Sequence, residues 1–251
     1  MGQLDGKIAL VTGSAHTIGK AIAMAMAKEG ANIVMADRDI EAMEKTEKEF
    51  QALGVQTLAV PTDVLDDKQI ENLFAELMKK FGRIDILVNN AGIFGGGPID
   101  KITTETWDNV LGTSLRSAFL CTREAFGIMK EQGGGRILNI GSISAQRVRA
   151  FNAPYSAGKF GLVGLTQTTA LEGREFGITC GILHPGEVTR DRPFTPPPGA
   201  TPPPGPRPEP QPQMTVEEIA AAALYMIAAP PHVNVLELIQ FHSGQTYLGR
   251  G

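Results

Sequence analysis

Cysteine is scarce. Cys121 and Cys180 are the only two in 251 residues, too few for a disulfide framework or a zinc site, and both read as reduced core thiols. An excess of basic charge is also missing. There are 23 Lys and Arg against 27 Asp and Glu, a formal net charge of −4, so the electrostatic footprint of a nucleic-acid binder is absent. The four histidines, His16, His184, His232 and His242, are scattered, and no metal-ligand spacing joins them. No apolar run is long enough for a bilayer. The longest, Ile219 to Ala229, has about half the residues a span needs, and Pro230 and Pro231 follow it. The opening MGQLDGK has no apolar leader core, and Gly6 stands where a myristoylation signal needs Ser or Thr. These absences point to a cytoplasmic protein with no metal, nucleic-acid or membrane partner.

What is present is an alternation. Short apolar, β-branched runs at Lys7–Thr12, Asn32–Ala36, Val55–Val60, Ile84–Asn89, Arg136–Ile140, Ile178–Leu183 and Val235–Gln240 read as strands. Runs uninterrupted by polar residues suit strands covered on both faces, hence a parallel sheet. Between them, Ile18–Glu29, Ile40–Leu53, Asp66–Phe81, Thr103–Lys130, Pro154–Phe176 and Val216–Ala228 read as helices. Strand–helix alternation repeated this often predicts a single-domain α/β fold over residues 1–251. It is doubly wound, with a seven-stranded, mostly parallel sheet, helices on both faces and right-handed crossovers.

Chemistry concentrates where strands hand over to helices. The first strand runs into Thr12-Gly13-Ser14-Ala15-His16-Thr17-Ile18-Gly19 and then a helix. A glycine turn there gathers free backbone N–H groups at a helix N-terminus, which suits a pyrophosphate. Asp37 closes the second strand. A carboxylate there accepts hydrogen bonds from ribose hydroxyls and repels a 2′-phosphate, favouring NAD over NADP. Arg38 beside it tempers that preference. Tyr155 and Lys159 stand four apart at the start of a helix, on one face. A lysine ammonium at ~4 Å in an effective dielectric of ~20 offsets about the three units needed to bring a phenol to neutral pH, which suits proton exchange with an alcohol.

With those motifs, the chain resembles the single-domain branch of the short-chain dehydrogenase/reductase family, a Rossmann fold. The resemblance rests on Thr12–Gly19, Asp63-Val64, Asn89-Asn90-Ala91-Gly92, Ser142, Tyr155 with Lys159, and Pro185-Gly186. It implies an NAD-dependent oxidoreductase in which Ser142 orients the substrate oxygen and Tyr155 is the acid/base. Lys159 holds the nicotinamide ribose and tunes Tyr155. Gly13, Ser14, His16, Thr17, Ile18, Gly19 and Asp37 then bind the dinucleotide. Asp63 and Val64 contact adenine, Asn90, Ala91 and Gly92 line the cleft, and Pro185, Gly186 and Val188 flank the nicotinamide. The family is usually a homotetramer or homodimer through its long helices.

Four positions depart from the family pattern. Thr17 replaces a glycine of the phosphate turn, and Ser114 replaces the asparagine that helps hold a proton-relaying water. Gly181 replaces a structural Asn, and Arg190 replaces a Thr that bonds the carboxamide. Thr17 and Ser114 motivate a rival reading, a catalytically weak NAD-binding sensor or scaffold. Past Arg190 lies Pro193–Pro212, which holds 11 of the 17 prolines. It reads as a donor-poor loop rather than helix or inner strand, placed to cover the substrate. Arg147, Arg149 and Arg192, with Arg190, surround the expected pocket and suit an anionic group. A small polar or anionic alcohol, a hydroxy acid or sugar derivative, is the expected substrate.

Overall fold

The computed structural model describes residues 2–191 and 210–246. Arg192 and most of Pro193–Pro212 lie outside the described residues. Within them the chain forms strands β1 (Ile8–Thr12), β2 (Asn32–Asp37), β3 (Thr57–Pro61), β4 (Ile86–Asn89), β5 (Gly135–Ile140), β6 (Ile178–Pro185) and β7 (Glu237–Gln240). They make one sheet in the order β3-β2-β1-β4-β5-β6-β7, and all six pairings are parallel.

Side chains alternate along each strand, so each run splits between two faces. Ala9 and Val11 of β1 join Ile33 and Met35 of β2 on one face. There they meet α1 (Thr17–Lys28), α2 (Ile40–Gln51) and α7 (Val216–Ile227) through Ile22, Met26, Phe50, Ile219 and Ala223. Ile8, Leu10 and Val34 point to the other face. They meet α3 (Asp67–Phe81) and α5 (Ser117–Glu131) through Leu73, Leu77, Leu120 and Met129. The long α6 (Ala153–Gly173) packs beside α5, with Leu162 against Ala118 and Ile182. The Rossmann architecture expected from the alternation is therefore present, with a core on each side of one sheet. Cys121 and Cys180 lie in the second core, and burial pushes both thiols up to about 12.

One expectation needs correction. Thr103–Lys130 is not one α-helix. It is α4 (Thr104–Leu111), a π-helical turn over Gly112–Arg116, and then α5. Hydroxyls explain the interruption. Thr113 Oγ1 donates to Asn109 O at 2.7 Å, and Ser117 Oγ donates to Thr113 O at 2.6 Å. Such back-bonding to the preceding turn competes with the helical ladder and loosens it. The π turn carries Ser114, whose side chain it turns into the interior.

The strand order reverses between β1 and β4, and a cleft must open there at the carboxyl ends of the strands. Polar contacts tie that edge together. Thr12 Oγ1 accepts the N–H groups of Asn90 and Ala91 at 3.1 and 3.0 Å. The Asn90 amide donates to Thr12 O and Gly13 O, both at 3.0 Å. Deeper in, Asn139 of β5 accepts from Asn89 at 2.8 Å and donates to Thr166 of α6 at 2.8 Å. The floor of the cleft is thereby fixed to both halves of the sheet.

Candidate active site

The cleft above that edge is a cavity of about 840 Å³. Its glycine turn is built as the sequence implies at Gly13, whose φ is +64° and whose N–H donates to Ala36 O at 2.7 Å. At Gly19 a Cβ would fall 2.1 Å from Gly13 O and 2.4 Å from the Asn90 amide nitrogen, so only glycine lets the first turn of α1 pack this closely on the strand ends.

Thr17 is the exception. Its φ is +45°, a region that costs a residue with a Cβ roughly 1–2 kcal/mol. The turn keeps the conformation a glycine would adopt and is held there by a distant carboxylate. Thr17 N donates to Asp191 Oδ2 at 2.9 Å, and Thr17 Oγ1 donates to Asp191 Oδ1 at 2.6 Å. His16 stands between two acids, its Nε2 2.8 Å from Asp39 and its Nδ1 3.9 Å from Asp191. Burial pushes the Asp191 carboxyl up, but the Thr17 hydrogen bonds and the His16 charge outweigh it and hold it below its ordinary value. The sequence gives no sign of Asp191, because the contact spans 174 positions.

Asp37 has a structural task besides the one expected of it. Its Oδ2 accepts the Ala15 N–H at 3.0 Å and its Oδ1 accepts the Asp39 N–H at 3.1 Å, so it braces the glycine turn from the end of β2. It lines the cavity together with Arg38, Asp63 and Val64.

At the other end lie Ser142, Tyr155 and Lys159. Ser142 follows β5 and caps a short 3₁₀ turn over Ile143–Ala145, its Oγ accepting the Ser144 N–H at 3.1 Å. Tyr155 sits in the first turn of α6, where Pro154 is tolerated because the first N–H groups have no helical partner. Its ring packs on Phe94, centroids 5.0 Å apart. One turn on, Lys159 is 5% exposed and donates to Ile140 O at 2.7 Å. Burial lowers the Lys159 pKa to about 8, so it is mainly cationic at neutral pH. Its Nζ lies 5.7 Å from the Tyr155 ring centre.

Burial raises the Tyr155 pKa, opposed by its hydrogen bond with Ser142 and then by the charge of Arg190; Glu187 pushes further up and Arg149 down. Lysine alone therefore does not bring this phenol near neutrality. Ser142 and the arginines oppose burial, and burial prevails.

The cavity collects most of the expected residues. Gly13, His16, Thr17, Ile18, Gly19 and Asp37 line one end. Asn90, Ala91, Gly92, Pro185, Gly186 and Val188 line the middle, and Ser142, Tyr155, Lys159, Arg149 and Arg190 the other end. Ser14 and Ser114 are buried outside the lining, with no hydrogen-bond partner for either hydroxyl among the described residues. Ser114 still faces the Lys159 end of the cleft, since a Cβ on Gly92 would lie 3.4 Å from its Oγ and 3.6 Å from Lys159 Nζ.

Arg147 is exposed and does not line the cavity, unlike Arg149 two residues on. Arg149 is engaged by Glu187, Nη1 to Oε1 2.7 Å, a partner the sequence did not signal. The chain returns beside the cleft at Met214, which exchanges backbone hydrogen bonds with Glu187 and Thr189, both 2.9 Å. The described residues flanking the Pro-rich segment, Asp191 on Thr17 and Met214 on Glu187 and Thr189, are therefore held beside the cavity.

Comparison with known proteins agrees with this geometry. The family model for short chain dehydrogenases matches residues 7–192. An uncharacterized oxidoreductase of Bacillus subtilis, YxjF, is 40% identical over 182 residues, 72% of this chain and 71% of that protein. An uncharacterized NAD-dependent oxidoreductase of Mycobacterium tuberculosis is 35% identical over 210 residues, covering 78% and 76%. The crystal structure of a short-chain type dehydrogenase/reductase from Mycobacterium marinum superposes with a TM-score of 0.82 at 25% identity, over 94% of each chain. With its seven-stranded parallel sheet and the matched motifs on one cleft, the chain belongs to the short-chain dehydrogenase/reductase family of oxidoreductases.

Proposed function

We propose that the protein is an NAD-dependent dehydrogenase that interconverts an alcohol and its carbonyl compound. The observation that carries this is the convergence of Ser142, Tyr155 and Lys159 at one end of a cavity whose other end is a glycine turn braced by an acidic residue. The residues present fit a dinucleotide. Gly13 and Gly19 line the cavity with backbone that carries no side chain, and Asp37 closes the far end with a carboxylate. When bound, the nicotinamide supplies the hydride acceptor. The chain supplies everything else.

Ser142 hydrogen-bonds the substrate oxygen, and the Tyr155 hydroxyl exchanges a proton with it. The Lys159 ammonium, fixed by Ile140 O, stabilises the phenolate side of that exchange. Burial keeps the phenol protonated at rest, so it is ready as the acid for carbonyl reduction, and oxidation draws on the opposing Ser142, Arg190 and Arg149 interactions. The two reactants need mainly to be held in register.

Arg149, which is paired with Glu187, and Arg190 both line the cavity, and two guanidinium groups on its wall support a small polar or anionic hydroxy compound, a hydroxy acid or sugar derivative, as substrate. Arg147 gives no support to that wall. A homotetramer or homodimer through α5 and α6 is part of the proposal, supported by Phe119, Phe160 and Leu171, which are 49, 47 and 63% exposed on those helices. The cytoplasm is the proposed compartment. One observation favours the rival sensor or scaffold reading: Asp191 occupies the Thr17 donors. Steady turnover separates the two.

Tyr155→Phe is expected to lower kcat by about 10²–10⁴-fold while NAD binding, read by calorimetry, is retained. A Phe variant with full activity contradicts the mechanism. NAD should exceed NADP in kcat/KM by about 5- to 150-fold, the worth of ~1–3 kcal/mol of repulsion, and Asp37→Ala should narrow the gap. Equal or better use of NADP by the unaltered protein overturns the preference. Asp191→Ala removes a carboxylate that competes for the phosphate donors, so ADP-ribose should bind about five- to tenfold tighter while adenosine is unaffected. Unchanged or weaker ADP-ribose binding shows that Asp191 does not compete there.

A further inference from the structure

His184, on β6, lies behind the catalytic loop and is 0% exposed. Its Nδ1 is 3.1 Å from the backbone N of Ser142 and 2.9 Å from its carbonyl O. Its Nε2 is 3.2 Å from Oε1 of Glu237 on β7, a charge contact whose angle falls short of a hydrogen bond, and the Gln146 side-chain amide hydrogen-bonds the same oxygen. Gln146 ends the short turn that Ser142 begins. A Cβ on Gly141 would fall 2.5 Å from Nδ1, so the ring is wedged under the backbone just before Ser142.

A neutral imidazole carries one donor and one acceptor. With the proton on Nε2, toward the Glu237 carboxylate, Nδ1 is free to accept the Ser142 N–H. With the proton on Nδ1, the Nε2 lone pair would face a carboxylate and the Ser142 amide would face a second N–H. A carboxylate partner fixes a tautomer in this way. The charged groups that face the ring are Glu237 from β7 and Lys159 from α6. Burial holds the imidazole below its ordinary pKa, helped by Lys159 and opposed by the Ser142 contact and Glu237, so it is neutral at pH 7. On protonation Nδ1 would donate to Ser142 O instead and release the amide.

We propose that His184 is a positioning residue for Ser142: its Nδ1 accepts the Ser142 amide proton, with the Glu237 carboxylate beside Nε2 favouring the proton there, and it sets the loop so that the Ser142 hydroxyl meets Tyr155. The proposal rests on the dehydrogenase reading of Ser142 and Tyr155. A displacement of about 1 Å at such a residue is enough to cost on the order of a hundredfold in rate.

The test combines nitrogen NMR of the imidazoles with kinetics of His184→Leu, His184→Asn and Glu237→Leu, using NAD with 3-hydroxybutyrate or gluconate. At pH 7 the unaltered protein should show His184 protonated on Nε2 and bare on Nδ1, and Glu237→Leu should populate both tautomers. His184→Leu should lower kcat about 10- to 100-fold, with KM for NAD within about twofold because cofactor contacts are untouched. His184→Asn places an amide oxygen near the Nδ1 position and should recover most of the loss. If His184→Leu fails to fold, the tautomer and the Asn and Glu237 variants decide. A proton on Nδ1, a Leu variant with unaltered kcat, or an Asn variant no better than Leu overturns the proposal. A fully active Tyr155→Phe control overturns the dehydrogenase reading instead, and the tautomer then decides His184 alone.

Discussion

Thr12 and Asn90 join β1 to β4 at the one place where the strand order turns back on itself, and the rest of the site depends on that join. Thr12 accepts two N–H groups from the β4 end, and Asn90 returns two hydrogen bonds to the β1 end. Parallel strands leave their carboxyl ends on one edge, so the glycine turn, Asp37, Ser142 and the β6 end all open toward the same cleft. Each such hydrogen bond contributes only about 1 kcal/mol net, but a buried donor left without its partner costs about 1–3 kcal/mol. The edge is therefore rigid less through the strength of its bonds than through the cost of losing any one of them.

The same constraint governs the electrostatics. Lys159 and Tyr155 stand one turn apart on α6 at the cavity wall, and burial acts on them in opposite senses, lowering the lysine and raising the phenol. Both shifts disfavour charge. What opposes them is local and specific: Ile140 O for the ammonium, and Ser142 with the Arg190 and Arg149 charges for the phenol. At the opposite end, charge is compensated by a segment far away in sequence, Asp191 on Thr17 and His16. The position that departs from the family pattern in the phosphate turn is thus the position that acquires a new partner.

The sheet was legible because strands covered on both faces appear as unbroken apolar runs, and the helices because one face repeats with helical period. All seven strand regions follow from those signals, whereas the main cavity residues follow from the glycine turn, the Tyr155–Lys159 spacing and the family resemblance. The π turn at Ser114 was not legible, since hydroxyl back-bonding by Thr113 and Ser117 leaves the apolar period intact. Nor was the split between Arg147 and Arg149, because an irregular loop has no period to say which side chain turns inward. Glu187, Asp191 and His184 gave no sign because their partners are 38, 174 and 42 positions away. Thr17 was visible as a departure, but its left-handed backbone and its carboxylate partner were not.

The central claim is that this cleft moves hydride between a carbinol carbon and NAD while Tyr155 exchanges the hydroxyl proton, as the acid in reduction and, once deprotonated, as the base in oxidation. The most direct measurement is single-turnover oxidation of an alcohol deuterated at the carbinol carbon, followed by the near-ultraviolet absorbance of reduced nicotinamide. The account predicts one equivalent of reduced cofactor per occupied site, formed more slowly from the deuterated alcohol than from the ordinary one. Saturating NAD binding with no reduced cofactor formed from any hydroxy acid, sugar or polyol, in either direction, would contradict it.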